Sequence, residues 1–324
     1  MKILVTGGAG FIGYHLAKSL ADDDHEVVIC DNLSRGQMDA ELTELVNQDN
    51  VRFCGVELTA PHMISELDSD FDIVYHLAAI NGTKNFYEIP HRVLKTNILS
   101  LINILEWLTV VKCKRLVWTS SSETYASTPN ILIPTPEDVP LTVADVHNPR
   151  FSYAGSKIAG ELLCLSYAKA YDMDISIVRP HNVYGPRMGN DHVISEFLQR
   201  IIKKEDPFKI YGDFQSRAFC FISDFVDGLR LIGGSPSIGG AGVTDIVNLG
   251  DDREETTIAV LADRIFSLAD FYPKVKILPA PEGSVSRRCP DLHKIRTLTD
   301  YEPRVSLDEG LQLTYDWLIK QETQ

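Results

Sequence analysis

The chain has 324 residues, 44% of them hydrophobic and 23% charged, with a formal net charge of -14. That composition suits a globular protein with a sizeable core and roughly two domains of ~150 residues. The acidic balance argues against nucleic acid or an anionic membrane as partner, but it leaves room for an anionic small ligand held by local arginines.

The chain opens on Ile3-Leu-Val5, an apolar run expected of a strand buried on both faces of a parallel sheet. Gly7, Gly10 and Gly13 follow, and then a helical pattern with Leu16 and Leu20. Strand, glycine turn and helix together make the context of the dinucleotide fingerprint. Gly7 allows the sharp turn, Gly10 the approach of a pyrophosphate, and Gly13 close packing of helix on strand. The free N–H groups of the helix start then face the anion. Glu26-Val-Val-Ile-Cys30 reads as the next buried strand, closed by Asp31. An acid there accepts hydrogen bonds from a ribose diol and repels a 2′-phosphate, so NAD is expected over NADP. Arg35 is the one complication nearby.

Asn32-Leu-Ser-Arg-Gly36 is a polar turn suited to cover the adenosine. Val51–Cys54 reads as a strand ending near Glu57-Leu58, and 72–79 as another, with small residues at its end. Val93 to Leu108 has helical spacing, Lys114 to Ser120 reads as a strand, Ser152 to Tyr171 as a long helix and Ile175–Val178 as a strand. This alternation predicts an α/β fold, a Rossmann-type doubly wound parallel sheet over residues 1–180. Ligands bind such sheets at the carboxyl ends of the strands.

Past Pro180 the rhythm breaks, with punctuation at Tyr184-Gly-Pro186, Asp206-Pro207, Gly233-Gly-Ser-Pro236 and Gly239-Gly240. Residues 181–324 are expected to form a smaller α+β substrate domain. A helix at Ser223–Leu231 and a strand at Val243–Leu249 are candidates to return to the first domain.

Six cysteines (Cys30, Cys54, Cys113, Cys164, Cys220 and Cys289) show no C-x-x-C pair. Reduced core thiols in the cytoplasm are the expectation, with no disulfide framework and no metal site. With a strand starting at Lys2 no signal peptide is expected, and no apolar run reads as long enough to span a bilayer.

Tyr153-Ala-Gly-Ser-Lys157 places a phenol and an ammonium at i and i+4, on one helix face. A tyrosine near pKa ~10 is a poor base at neutral pH. A nearby ammonium and a cationic nicotinamide are expected to bring it toward working range. The alternative is an ordinary surface pair. Thr119-Ser-Ser-Ser-Glu-Thr-Tyr125 ends the strand of Leu116–Trp118. Read as extended chain, it points Ser121 and Glu123 the same way, a hydroxyl to hold the reacting oxygen and a carboxylate as a second acid or base. In isolation a serine run is a polar loop.

The sequence resembles the extended short-chain dehydrogenase/reductase family of NAD-dependent nucleotide-sugar epimerases, dehydratases and decarboxylases. The likeness runs through Gly7–Gly13, Asp31–Ser34, His76–Ala79, Asn97, Ser121, Tyr153, Lys157, Arg179-Pro-His-Asn-Val-Tyr-Gly-Pro186, Tyr211-Gly-Asp213, Arg217, Arg288-Cys-Pro-Asp291 and 302–310. It implies a Ser121–Tyr153–Lys157 triad that transiently oxidises a sugar hydroxyl, usually at C4, with bound NAD. It further implies cofactor contacts from Phe11, Ile12, Asn32, Ser34, Glu57, Leu58, Leu77, Ala78, Ala79, Asn97, Tyr153, Lys157, Pro180 and Val183. Substrate contacts are implied from Ser121, Ser122, Asn182, Val193, Tyr211, Arg217, Arg288 and Asp291. Guanidinium forks at Arg217 and Arg288 suit phosphate oxygens.

The chain departs from the family at His181, where phenylalanine is frequent, at Ala126 for a glycine, and at Glu57 for an aspartate. Glu123 matches dehydratases and decarboxylases, and simple 4-epimerases usually lack it. The residues between Tyr153 and Lys157 differ from those of decarboxylases. Epimerisation at C4 of a UDP-sugar, which needs only the triad, stands narrowly first. UDP-glucuronate decarboxylation or 4,6-dehydration using Glu123 is the alternative. A non-catalytic NAD sensor or scaffold is a reading of another class, and the intact triad argues against it. The resemblance also implies a homodimer through a four-helix contact. Ile98, Leu101, Ile102, Leu105 and Leu108, with Ile158, Leu162, Leu163 and Leu165, make both long helices apolar beyond one stripe.

Overall fold

The computed structural model describes residues 1–113, 115–235, 244–280 and 284–322. Lys114, Pro236, Gly239, Gly240 and Val243 of the sequence reading lie outside the described residues.

A seven-stranded parallel sheet forms the larger layer. Its strands β1 (Lys2–Thr6), β2 (Glu26–Asp31), β3 (Val51–Gly55), β4 (Ile73–His76), β5 (Arg115–Thr119) and β6 (Asp174–Pro180) are joined by a strand at Thr244–Leu249. The order across the sheet is Thr244–Leu249, β6, β5, β4, β1, β2, β3. Strand order reverses between β4 and β2, on either side of β1, and this reversal opens a crevice at the strands' carboxyl ends.

Alternate residues feed opposite layers. Ile3, Val5, Val27, Ile29 and Val117 join one core with the helix α1 (Phe11–Asp22). Leu4, Val28, Cys30, Leu116 and Trp118 join the other, under the helices Pro90–Val110 and Phe151–Tyr171. Burial on both faces explains why these strands read as continuous apolar runs. All six cysteines are free thiols, five of them buried.

The seventh strand pairs with β6 in register Ile246↔Ile177. The helix Ile222–Gly234 also returns to the sheet, where the Tyr75 hydroxyl reaches the Leu229 carbonyl at 3.5 Å. Chain beyond Pro180 therefore completes the first lobe as well as building the second. The second lobe carries Ser216–Ala218 between Glu255–Thr257 and Arg287–Arg288, and Phe208–Tyr211 beside Val275–Leu278. Its closing helix is Leu307–Glu322.

One expectation needs correction. Pro90–Val110 is, by length and composition, long and apolar enough to cross a membrane. Here it packs against the sheet and the helix Phe151–Tyr171, with Leu101, Ile104, Leu105 and Leu108 fully buried. Its apolarity belongs to this core.

Candidate active site

A cleft of about 1080 Å³ opens at the carboxyl ends of the strands. Its floor is the turn from β1 into α1. Gly7 sits at φ +70°, and a Cβ there would come within 2.8 Å of the Ala78 backbone. At Gly13 a Cβ would lie 2.2 Å from the Gly7 carbonyl oxygen. No side chain caps the N-terminus of α1, and its first turn holds no acid. That leaves an electropositive helix end beside a surface only glycine can form. Asp31 lines the same wall and accepts from Ala9 N at 3.1 Å and Leu33 N at 2.8 Å. Glu57 accepts from Asn32 Nδ2 at 2.7 Å, which ties the β2 and β3 turns together.

At the far end, the carboxyl end of β5 meets the helix Phe151–Tyr171. Tyr153 and Lys157 are both buried and line the cleft. The Tyr153 ring stacks on Phe86 at 4.8 Å between centroids. Lys157 Nζ donates to the Thr119 carbonyl at 2.7 Å, and sits 4.8 Å over the Trp118 ring and 5.7 Å over that of Tyr153. Burial lowers Lys157 to about 7, while nearby Cys164 and Glu161 oppose it. Burial also raises Tyr153 to about 12, and the Ser121 hydroxyl pulls it only partly back. The expected lowering of the phenol by its lysine is therefore not seen in the protein itself. Desolvation is the dominant influence on the phenol.

The segment after β5 is also not extended. Ser122–Tyr125 is a 3-10 turn, and the Ser121 hydroxyl accepts from Glu123 N at 3.1 Å. Period two does not apply there, yet Ser121, Ser122 and Glu123 all reach the cleft through the turn. Two arginines hold the Glu123 carboxylate. Arg288 Nη2 lies 2.9 Å from Oε1, and Arg150 Nη2 lies 3.1 Å from Oε2. Burial pushes this carboxyl up, but Arg288 and Arg150 together bring it below the usual glutamate range.

Gly7, Gly10, Phe11, Ile12, Gly13, Asp31, Asn32, Ser34, Glu57, Leu58, Leu77, Ala78, Ala79, Pro180, Asn182, Val183 and Arg288 also line the cleft. Five expected residues do not. Asn97 clamps the loop below it, accepting from Ile80 N at 2.7 Å and donating to Ile80 O at 3.1 Å. Val193 begins a helix just behind His192, which does line the cleft. Tyr211 is half-exposed at the end of its strand. Asp291 accepts from His293 N at 2.8 Å, ahead of the helix His293–Leu298. Arg217 donates to the carbonyls of Ser216 and Val285, while burial and its register partner Arg288 lower it to about 9. Among the described residues no group of three or more His, Cys, Asp and Glu could hold a metal ion.

The sequence reading missed Arg150, Phe86, Arg187, His192 and Trp317, all at or beside the cleft. Arg187 donates to Asp39 at 2.6 Å and Glu41 at 3.0 Å. Trp317 Nε1 donates to Glu41 at 2.8 Å. Only Arg150 carried a usable signal, as a cation three residues ahead of Tyr153. The others reach the cleft through long-range packing.

A model described as the NAD dependent epimerase/dehydratase family matches residues 3–250. The chain belongs to this family. NAD is its cofactor, and the glycine cradle, the uncapped helix and the wall at Asp31 fit that group. Among curated relatives, the chain is 32% identical over 323 residues to UDP-glucuronic acid decarboxylase 1 of Danio rerio, covering 99% of this chain and 73% of the relative. It is also 32% identical over 329 residues to UDP-N-acetyl-alpha-D-glucosaminuronate decarboxylase of Bacillus cytotoxicus, covering 98% and 97%. Among solved structures, UDP-glucose 4-epimerase of Thermotoga maritima with UDP-glucose superposes with a TM-score of 0.87 at 28% identity, covering 99% of this chain and 100% of that one. UDP-glucuronic acid 4-epimerase of Bacillus cereus, with UDP-glucuronic acid and NAD, gives 0.87 at 26% identity over 99% and 100%.

Proposed function

We propose that this family member converts a nucleotide-diphosphate sugar through transient oxidation at C4. NAD held at the glycine cradle would supply reversible hydride transfer when bound. Ser121 holds the reacting oxygen and Tyr153 takes its proton. Lys157 fixes the helix against β5 and supplies local positive charge. Gly7, Gly10, Phe11, Ile12 and Gly13 hold the pyrophosphate, Asp31, Asn32 and Ser34 the ribose, Glu57 and Leu58 the adenine. Leu77 to Ala79, Pro180 and Val183 surround the nicotinamide end. In this reading residues 1–180, with the returning helix and strand, form the NAD lobe, and most of 181–324 forms the sugar-nucleotide lobe, where Asn182 and Arg288 face the diphosphate and sugar and Arg217 stands beside Arg288 outside the cleft.

Epimerisation at C4 and decarboxylation both fit the family and share the C4 ketone. The arrangement around Glu123 favours decarboxylation of a sugar with a C6 carboxylate, such as UDP-glucuronic acid. One carboxylate between two guanidinium groups leaves a net positive charge at this end of the cleft. In a chain of net charge -14 such a spot suits an anionic substituent. The C4 ketone makes the C6 carboxylate a β-keto acid: the C5–C6 bond breaks, CO2 leaves without a further base, and the resulting C4–C5 enolate takes a proton from solvent at C5 before C4 is reduced. Epimerisation at C4 is the second reading, favoured because Ser121 and Tyr153 suffice for it.

Incubating the NAD-loaded protein with UDP-glucuronic acid and neutral UDP-, GDP- and dTDP-sugars, read by NMR, tests this. A UDP-pentose with release of CO2 supports the first reading, an uncleaved C4 epimer the second, and no turnover across the panel overturns both.

A homodimer in the cytoplasm completes the proposal. Leu94, Leu162, Leu165 and Tyr171 are exposed on the two long helices, and pairing those helices would cover them. A monomer mass by light scattering at micromolar concentration would refute it.

A further inference from the structure

Arg150 stands where the catalytic helix begins, outside both the triad and the glycine cradle. Its backbone is fixed by a turn, with Arg150 N donating to Asn148 Oδ1 at 3.0 Å and Phe151 N to the Asn148 carbonyl at 3.1 Å. Its side chain is largely buried and points to Glu123, with Nη2 at 3.1 Å from Oε2 and 3.5 Å from Oε1. Glu123 is thus shared between two lobes. Arg150 approaches from the helix that carries Tyr153, and Arg288 approaches from the strand Arg287–Arg288 of the second lobe.

We propose that Arg150 is a positioning residue that keeps Glu123 seated, so that Arg288 can turn from Glu123 to an anionic group on the substrate sugar. The identity of that group rests on the reading above.

The argument is one of charge compensation. If Arg288 were the sole partner of Glu123, a substrate carboxylate could claim it only by leaving a largely buried carboxylate unpaired, which is strongly disfavoured. With Arg150 in place, each Glu123 oxygen has its own cation, and losing one leaves the other. Arg150 also joins the turn that carries Ser121 to the helix that carries Tyr153. The Ser121 hydroxyl accepts from Glu123 N, and Tyr153 lies three residues past Arg150. The other charged or titratable groups around Glu123 are Arg217, His192 and Tyr153. Of these only Arg217 is cationic at neutral pH. It is engaged with backbone carbonyls, so it does not replace Arg150.

Two measurements on the full-length protein test this. In the first, glutamate carrying carbon-13 at its carboxyl is followed by NMR through acid titration, with Glu123→Gln identifying the signal. Glu123 of the unmodified protein should stay ionised well into acid. In Arg150→Gln its titration should move up by about one pH unit or more, and in Arg150→Lys by less. An unmoved titration in Arg150→Gln overturns the proposal. No sugar is needed, so the result stands even if the assigned substrate is wrong.

In the second, calorimetry compares UDP with UDP-glucuronic acid. Arg150→Gln should weaken the uronic acid about tenfold or more and leave UDP nearly unchanged. Equal weakening of both would mark Arg150 as merely structural and overturn the proposal. Retained NAD shows that each variant is folded, and the lysine variant keeps the test open should Arg150→Gln misfold.

Discussion

Lys157 Nζ donates a 2.7 Å hydrogen bond to the carbonyl oxygen of Thr119, so the helix Phe151–Tyr171 is bolted to the last residue of β5 through this ammonium, the one proposed for the triad. The bond places Lys157 over Trp118 and beneath Tyr153, in an environment that lowers it from 10.5 to about 7 by desolvation. Between about 7 and 10.5 the unfolded chain holds a proton that the native protein has released, so stability rises with pH across that window. Below about 7 the cost of the buried charge is felt in full.

Lys157→Met should therefore abolish turnover yet raise the melting temperature in mild acid. A gain of 1 kcal/mol corresponds to about 2–4 °C in a domain of ~150–250 residues, and the variant should gain at least that near pH ~6. The gain should shrink steadily toward pH ~10. Melting curves at several pH values decide it, and a difference independent of pH would show that Lys157 is not titrating as described.

His181 gives a pH signature of the same sign in a lower window. The side chain is fully buried, with Nε2 3.2 Å from Asn248 Oδ1 and, among the described residues, no partner for Nδ1. Burial lowers it to about 3, with Arg288 adding to the effect. From pH 6.5 down to about 3 the unfolded chain binds a proton that the native protein refuses, so stability is lost as pH falls. His181→Phe should soften this acid limb. Near neutral pH the two proteins should melt alike, because Asn248 Oδ1 still accepts from the Tyr125 hydroxyl at 2.9 Å. By pH ~5 the variant should be the more stable. Acid limbs that superpose would count against it.

Two glycines separate cradle from helix. Gly13→Ala puts a methyl group 2.2 Å from the Gly7 carbonyl oxygen and 2.7 Å from Gly8 Cα. Overpacking of that kind costs about 1–3 kcal/mol and displaces the turn that faces the pyrophosphate. The variant should be purified without NAD and bind it weakly. At Gly155, inside the catalytic helix, an added Cβ meets nothing within 4 Å. Gly155→Ala should gain about 0.5–1 kcal/mol from helix propensity. Paired melting curves and NAD content check both, and retention of NAD by Gly13→Ala would contradict the cradle.

The fold was largely legible in the sequence because a parallel sheet buried on both faces leaves continuous apolar runs, and six of seven strands sit near their expected places. The seventh, Thr244–Leu249, was legible as a strand that could return to the first domain. Its place beside β6 is a long-range pairing with no local code. Within the site, residues tied to a strand end were readable, as at Gly7, Asp31 and Ser121. Asn97 was assigned to the cofactor by the resemblance, whereas its amide is engaged by both backbone groups of Ile80. Burial decided the acidities of Tyr153 and Lys157, and burial is not visible from a spacing of four.

The cofactor preference follows from charge. Asp31 lines the cleft with Asp39, Glu41 and Glu44; Arg187 is engaged with Asp39 and Glu41, and Arg35 lines the cleft nearby. A 2′-phosphate placed there meets acids on several sides. NADP should bind at least about tenfold more weakly than NAD, equivalent to ~1.4 kcal/mol. Fluorescence titration of protein stripped of its cofactor measures the ratio, and equal affinity would contradict the role given to Asp31.

The central claim is that a hydride leaves C4 of the sugar and returns to it within one binding event. UDP-glucuronic acid carrying deuterium at C4, incubated with the NAD-loaded protein in ordinary water and followed by NMR, tests it most directly. The account predicts a UDP-pentose that keeps the C4 deuterium, accompanied by CO2, and no product from Tyr153→Phe beyond a rate lowered by about 100- to 10,000-fold. Product in which the C4 deuterium has been replaced by solvent hydrogen would contradict it.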